Sequence, residues 1–427
     1  MRLVLTSFIV SAIGFAATTG KPGQVTFQKD VLPVLQAKCQ GCHRPGEAAP
    51  FSLLSYKEAR PWAKAMREAV LAKRMPPWFA DPHIGKFTND WSLNAAEVAT
   101  IKAWADQGAP EGKPADARPN PTFTNGWQIP TPDVVIEMPE PYDVPAKGTV
   151  EYVYYIMPTG LTEDKWVTMA EARPGDEARA QVHHIIAFIR EPGSKWLADA
   201  PVRKAFIPPS GGQDSPSGFL AGYAPGMRPM ILEPGHALLL KAGSDVIFQM
   251  HYTTTGKAVR DRSKIGFVFA KEPPKKRVHM LQVQNGRFVI PPGADNFPVK
   301  AALTLAADVE LVDMQPHMHA RGKSAEMKAV YPSGEEEKLL SIKWDFNWQL
   351  KYDVPPGKVL PKGTRIEGLN FYDNSPNNKY NPDPKVEVRW GEQTWEEMMV
   401  NFFRVASDPQ LSTRDLIARP ARRPAAD

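Results

Sequence analysis

Cys39-Gln40-Gly41-Cys42-His43 decides how the N-terminal part of the chain is read. Two thiols three positions apart, followed at once by an imidazole, make a complete c-type haem attachment signature. The thiols add across the two vinyl groups of the porphyrin and the imidazole reaches the iron. They are also the only two cysteines in the chain. No thiol is left for a disulfide framework, a zinc ribbon or an iron–sulfur cluster. The competing reading, a redox or zinc-binding Cys-x-x-Cys, asks for further ligands nearby or for a strand opening into a helix. Cys39, Cys42 and His43 are therefore expected to hold one covalent haem c.

Outward from this motif the pattern is helical. Phe27-Gln28-Lys29-Asp30-Val31-Leu32-Pro33-Val34-Leu35 leads into it. Tyr56 to Arg74 carries Trp62, Met66, Val70 and Leu71 near helical spacing. Asn94 to Gln107 places Val98, Ile101 and Trp104 on one face, with Gly108 as the stop signal. Helix, haem motif, loop and C-terminal helix match the plan of a small all-α cytochrome c domain over residues 25–110. The sixth iron ligand is expected from Met75 in Lys73-Arg74-Met75-Pro76-Pro77-Trp78, where two prolines fix the backbone of the presenting loop. His83 is the rival ligand, and an open sixth position is the further alternative. Met66 reads as core packing.

Proline makes up 43 of 427 residues, about twice the usual share, which favours loop-rich β architecture over helical bundles. The net charge of +5 is spread along the chain with no basic stripe, so nucleic-acid binding finds little support. Residues 1–20 fit a secretory signal peptide: Arg2, an apolar run from Leu3 to Ala17, and small residues before Thr18. A retained lipid-surface anchor is the alternative, and no later segment reaches transmembrane length. Export suits haem c attachment, and the chain is read as a soluble bacterial protein, periplasmic or secreted.

Residues 111–130 read as a proline- and glycine-rich linker. Beyond it come short alternating strands: Val150 to Tyr155, His184 to Ile189, Ala237 to Leu240, Asp245 to Tyr252 and Ile265 to Phe269. A break at Lys271-Glu272-Pro273-Pro274-Lys275-Lys276-Arg277 divides the region into halves, 131–272 and 273–406. Two tandem all-β, jelly-roll-like sandwich domains are expected, followed by a disordered tail over 407–427.

Nine histidines carry the remaining chemistry. His183-His184 is an adjacent pair, and neighbours in a regular strand face opposite sides. Both reach one metal only if the strand starts, ends or bulges there. His251 sits in Phe248-Gln249-Met250-His251-Tyr252. His317-Met318-His319 puts two rings on one sheet face without distortion. His236 and His279 have no partner motif and read as turn and surface residues.

Taken together, these elements resemble the copper type II, ascorbate-dependent monooxygenases, the family of peptidylglycine α-hydroxylating monooxygenase and dopamine β-hydroxylase. The resemblance covers roughly residues 130 to 405 and rests on four motifs in order. It implies two separated mononuclear coppers. The first would be held by His183, His184 and the His251-Tyr252 segment. The second would be held by His317, His319 and Met398 of Glu397-Met398-Met399-Val400-Asn401-Phe402, with Met399 standing where relatives carry cysteine. Gly322-Lys323 matches a glycine and basic residue of the relatives. Imidazoles and a thioether independently suit copper cycling between two oxidation states.

Two departures bear on substrate. Gln315 stands where the peptide enzyme has an arginine for its substrate carboxylate, and Phe402 where it has a tyrosine. A peptide ending in glycine is not the expected substrate.

The resemblance implies a monooxygenase that hydroxylates a C–H bond of an unknown small organic molecule with dioxygen. His317, His319 and Met398 would hold the catalytic copper, and His183, His184 and His251 the electron-storing one. The fused haem, fed by a periplasmic donor, would supply electrons at raised effective concentration. The alternative is a periplasmic electron-transfer or copper-binding cytochrome without oxygenase activity.

Overall fold

Asn94 begins the longest helix with a reciprocal cap. Its side chain accepts the Glu97 N–H at 2.9 Å, and the Glu97 carboxylate accepts the Asn94 N–H at 2.8 Å. This is seen in a computed structural model that describes residues 23–47, 49–123, 126–208 and 218–418. The expected signal peptide at 1–20 lies outside the described residues. The chain divides into two compact units.

The first unit comprises described residues 23–45, 51–76 and 92–122. It holds α1 (Leu32–Lys38), α2 (Tyr56–Ala59), α3 (Ala63–Leu71) and α4 (Ala95–Asp106). Gly108 at φ +83° ends α4, a left-handed geometry that a side chain resists. Ile101 and Trp104 are fully buried against Phe27, Leu35, Leu53, Met66 and Val70, so Met66 is a packing residue. The Trp104 indole N–H donates to the Pro110 carbonyl at 3.0 Å. Phe27 and Gln28 N–H donate to the Pro110 and Glu111 carbonyls, both at 2.9 Å, and Gln36 donates to the Pro119 carbonyl. Much of the expected linker is therefore part of this unit. Its backbone carbonyls find donors there, which composition alone does not register.

The second unit is built of β-sheet and contains, among the described residues, 46–47, 49–50, 77–91 and those from 123 onward. Residues 77–91 thus fall outside the helical unit, a correction to the single all-α domain expected over 25–110. Residues 79–81 cover an exposed strand edge: Lys343 N–H donates to the Phe79 carbonyl at 3.1 Å and Asp81 N–H to the Ser341 carbonyl at 2.9 Å. Trp78 meets Tyr352 edge-on at 5.0 Å. Unpaired edge groups and an aromatic wall recruit a segment that is distant in sequence.

A ten-stranded sheet runs through both halves of this unit. Its first half contains Val134–Glu137, Lys264–Phe269, Lys165–Arg173 and His236–Leu240, and its second Lys276–Gln284, Val400–Ser407, Val309–His317 and Tyr352–Asp353. Each half is faced by its own four-stranded sheet. The first is Val153–Pro158, Asp245–Tyr252, Val182–Arg190 and Gly218–Tyr223; the second is Phe297–Thr304, Arg365–Tyr372, Gly322–Val330 and Glu336–Lys343. Separate apolar cores fill the two sandwiches, one around Phe248 and Phe267, the other around Tyr352, Tyr372 and Phe403.

The halves are not independent. Lys276, Arg277 and Val278 pair in parallel with His236, Ala237 and Leu238, so the charged break ends inside a strand that seams the sandwiches together. His236 opens its strand directly after the turn and is half-buried.

His279 is not a surface residue. It is 2% exposed, with Nδ1 3.1 Å from the Thr413 hydroxyl and Nε2 3.1 Å from the Ser407 hydroxyl. Strand alternation turns it inward, where two hydroxyls meet its polar edge. Residues 408–418 of the expected tail are likewise ordered: Leu416 is fully buried, and Ala418 N–H donates to the Thr304 carbonyl at 2.8 Å. Residues 419–427 lie outside the described residues.

Burial and the neighbouring Arg277 lower His279 to about 4. A lowered histidine contributes stability that is complete above its unfolded value near 6.5 and is lost as pH falls towards 4. The folded protein should lose about 3 kcal/mol through this group across that window. Denaturant unfolding of wild type and His279→Gln at pH 7 and 4.5 checks it; identical pH dependence in the two proteins would remove His279 from the account.

Candidate metal centre

The strand Val182–Arg190 pairs with Asp245–Tyr252 in a register that breaks at the histidine pair. Val182 lies opposite Tyr252 and His184 opposite His251, with the shift falling between Val182 and His184. A register shift at the start of the strand is one of the departures that let two adjacent histidines face one point. One ligand nitrogen from each of His183, His184 and His251 lies within 4.8 Å of the others. The Nδ1 atoms of His183 and His184 are 3.3 Å apart. The His183 ring stacks on Phe346 at 4.9 Å.

The second group is built by a different pair of strands. His317 ends Val309–His317, lies opposite Val400, and is followed two residues later by His319. His317 Nδ1 is 2.8 Å from Gln349 Oε1 and His319 Nδ1 is 3.2 Å from the Glu396 carbonyl. An Nδ1–H donated to each acceptor leaves Nε2 as the available lone pair, the usual way an outer partner sets a ligand tautomer. Met398 is buried, and its carbonyl accepts the Tyr372 hydroxyl at 2.7 Å. Glu397, fully buried beside it, accepts N–H groups from His319 at 2.8 Å, Arg321 at 2.6 Å and Met398 at 3.3 Å. Burial raises its carboxyl to about 8 against those donors.

The two groups face one shared interior. His184 and His317 have ring centroids 6.4 Å apart. Tyr152 stands among them, 4.5 Å from His251, 5.4 Å from His184 and 6.0 Å from His319. Burial drives all five histidines below their ordinary value, His183 and His317 to about 4 and His319 to about 3. They are neutral at pH 7 and carry free lone pairs.

His183 Nε2, His184 Nε2, His251 Nδ1 and His319 Nε2 are buried with no hydrogen-bond partner among the described residues. A buried polar atom without a partner costs about 1–3 kcal/mol, so four in one interior call for an explanation. A metal ion accepts such lone pairs, and His183, His184 and His251 fit one, while the second group offers the unpartnered His319 Nε2 with the His317 ring 5.3 Å away. Tyr152, Phe346, Gln349 and Thr394 were not singled out by sequence. No motif marks them, because they become neighbours only through strand pairing and loop closure.

In the helical unit, the N–H groups of Cys42 and His43 donate to the Cys39 carbonyl at 3.1 and 2.9 Å, which sets the thiols one helical turn apart. His43 Nδ1 lies 3.2 Å from the Phe51 carbonyl, leaving Nε2 to meet a metal. Burial, with Cys42 close by, pushes the Cys39 thiol up to about 12. Met75 is half-buried in the same unit, just after α3. His83 is exposed and belongs to the β unit, with its N–H bound to Asp81 Oδ1 at 2.9 Å.

No family model matches the chain, and no curated protein matches it. Among solved structures it is similar to one of infectious bursal disease virus Gx strain, at 8% identity over 68% of this chain and 77% of that chain, TM-score 0.18. It is also similar to the VP2 subviral particle of infectious bursal disease virus, at 8% identity over 66% and 74%, TM-score 0.19. Likeness at that level carries no argument about what the chain does.

Proposed function

We propose that this chain is an exported copper monooxygenase with a haem c domain fused ahead of two jelly-roll-like sandwiches, hydroxylating a C–H bond of a small organic substrate. The observation that carries the reading is the cluster of His183, His184 and His251, whose ligand nitrogens lie within reach of one ion, with the buried, unpartnered His319 Nε2 in the same interior. His183, His184 and His251 hold one copper; His317, His319 and Met398 hold the other, where the thioether favours the reduced ion. Cys39 and Cys42 attach the haem, His43 ligates its iron and Met75 supplies the sixth ligand. When bound, copper supplies dioxygen activation and haem supplies one-electron transfer.

The balance is one C–H bond, one dioxygen, two electrons and two protons converted to one C–OH and one water. The chain's own residues set the terms. Gln349 and the Glu396 carbonyl orient His317 and His319. Phe402 lies 6.3 Å from the His317 ring and stacks on Phe219 at 6.1 Å, giving an apolar wall where a carboxylate anchor would be needed for a peptide.

Copper per haem, counted beside the EPR spectrum of the exported holoprotein, tests this. Two coppers per haem with type II signals are expected, one of them lost in Met398→Ala. Absence of tight copper would leave a cytochrome fused to inert sandwiches, the electron-carrier reading.

A further inference from the structure

Residues Glu392 to Met398 are engaged at every position, and their partners pass from the first half of the β unit to the second along the segment. Glu392 accepts the Tyr154 hydroxyl at 3.1 Å. Gln393 accepts the Tyr152 N–H at 3.2 Å. The Thr394 hydroxyl lies 3.4 Å from His251 Nε2. From there the segment turns to the second group. The Trp395 carbonyl accepts Arg321 Nη1 at 2.8 Å, the Glu396 carbonyl faces His319 Nδ1, and Glu397 holds the His319 and Arg321 N–H groups. Met398 follows directly.

We infer that this segment is a coupling latch: Thr394 is a positioning residue for His251, and through it the two metal groups fill cooperatively. The inference rests on the proposal that both groups bind metal. Its physical course is short. His251 Nδ1 has no partner among the described residues, so that atom faces the metal and Nε2–H faces Thr394. Withdrawal of electron density at Nδ1 makes Nε2–H a stronger donor and tightens its bond to the Thr394 hydroxyl. Thr394 is four residues from Met398, within a segment already pinned by Glu397. Fixing one end lowers the ordering cost of presenting the thioether at the other. Linkage requires the effect to be equal in reverse.

The test is a double-mutant cycle on the full-length holoprotein, read by Cu(I) competition against a chromophoric chelator, with X-ray absorption reporting sulfur ligation from Met398. His184→Ala empties the first group. In the Thr394 background it should weaken Cu(I) binding at the second group by about ten-fold, within the usual range of coupling between sites. In Thr394→Val, which keeps the shape and removes the hydroxyl, the same change should have little effect. Thr394→Ser should restore the ten-fold difference, which a purely structural role for the side chain would not predict.

The reciprocal arm leaves His184 and Thr394 in place: Met398→Ala should weaken the first group by the same factor. Second-group affinity indifferent to His184→Ala, together with first-group affinity indifferent to Met398→Ala, would overturn the latch while leaving a two-copper protein. Absence of Cu(I) binding at both groups would overturn the metal reading itself.

Discussion

His184→Ala is expected to abolish metal binding at the first group, weakening it by more than about a hundred-fold, beyond the 10–100-fold typical of losing an outer partner. His184 is the residue at which the strand recovers its register opposite His251, so it supplies both a ligand and the geometry of the pair. Its ring is buried, and its neutral state costs nothing at pH 7 because burial holds it well below its ordinary value. Thermal unfolding with and without copper gives the clearest readout. At copper about a hundred times the dissociation constant, a bound ion stabilises the wild type by about 2.7 kcal/mol. The variant should gain little from occupation of this group. Equal copper-dependent stabilisation in both proteins, with unchanged stoichiometry, would remove His184 from the centre.

Asp313→Ala carries the largest expected loss of stability, about 3–5 kcal/mol. Asp313 and Arg404 lie opposite each other on the paired strands that carry His317 and lead out of Met398. Arg404 Nε and Nη2 both donate to Asp313 Oδ2, at 2.7 and 2.6 Å, with each side chain 3% exposed. Lys351 Nζ is 4.0 Å from the same oxygen. Removing the carboxylate strands a guanidinium whose Nη1 already lacks a partner among the described residues. Replacing both partners, as Asp313→Leu with Arg404→Met, should recover most of the loss, since a buried ion pair is worth little against well-packed apolar groups. Urea unfolding of the single and double variants measures both effects. A loss below about 1 kcal/mol for Asp313→Ala would mean that water reaches the pair.

Much of the local structure was legible in order of residues. Alternation marked Asp245–Tyr252 to the residue, and the apolar spacing from Asn94 to Gln107 with Gly108 as the stop marked the longest helix. That the strand must start, end or bulge at His183-His184 for both rings to meet also followed from the two-residue period of a strand, and the strand starts at Val182 with a register shift before His184. These features depend on neighbours along the chain, which is where periodicity and capping act. Residues 77–91 could not be assigned this way, because what holds them is an edge strand at Glu336–Lys343 and the ring of Tyr352. His279 failed for the same reason: its partners Ser407 and Thr413 are far along the chain.

By itself, the sequence determined that the chain bears a Cys-x-x-Cys-His motif, a helical segment, many short strands and two histidine groups of distinct spacing. Only the tertiary structure decided that those groups share one interior, 6.4 Å apart at the rings of His184 and His317. It also decided that a parallel pairing of His236–Leu240 with Lys276–Gln284 seams the sandwiches into one sheet. The reason is physical: spacing along a chain limits which ligands can meet within one element, while the distance between elements is set by strand pairing, loop closure and burial, each of which acts between residues far apart in sequence.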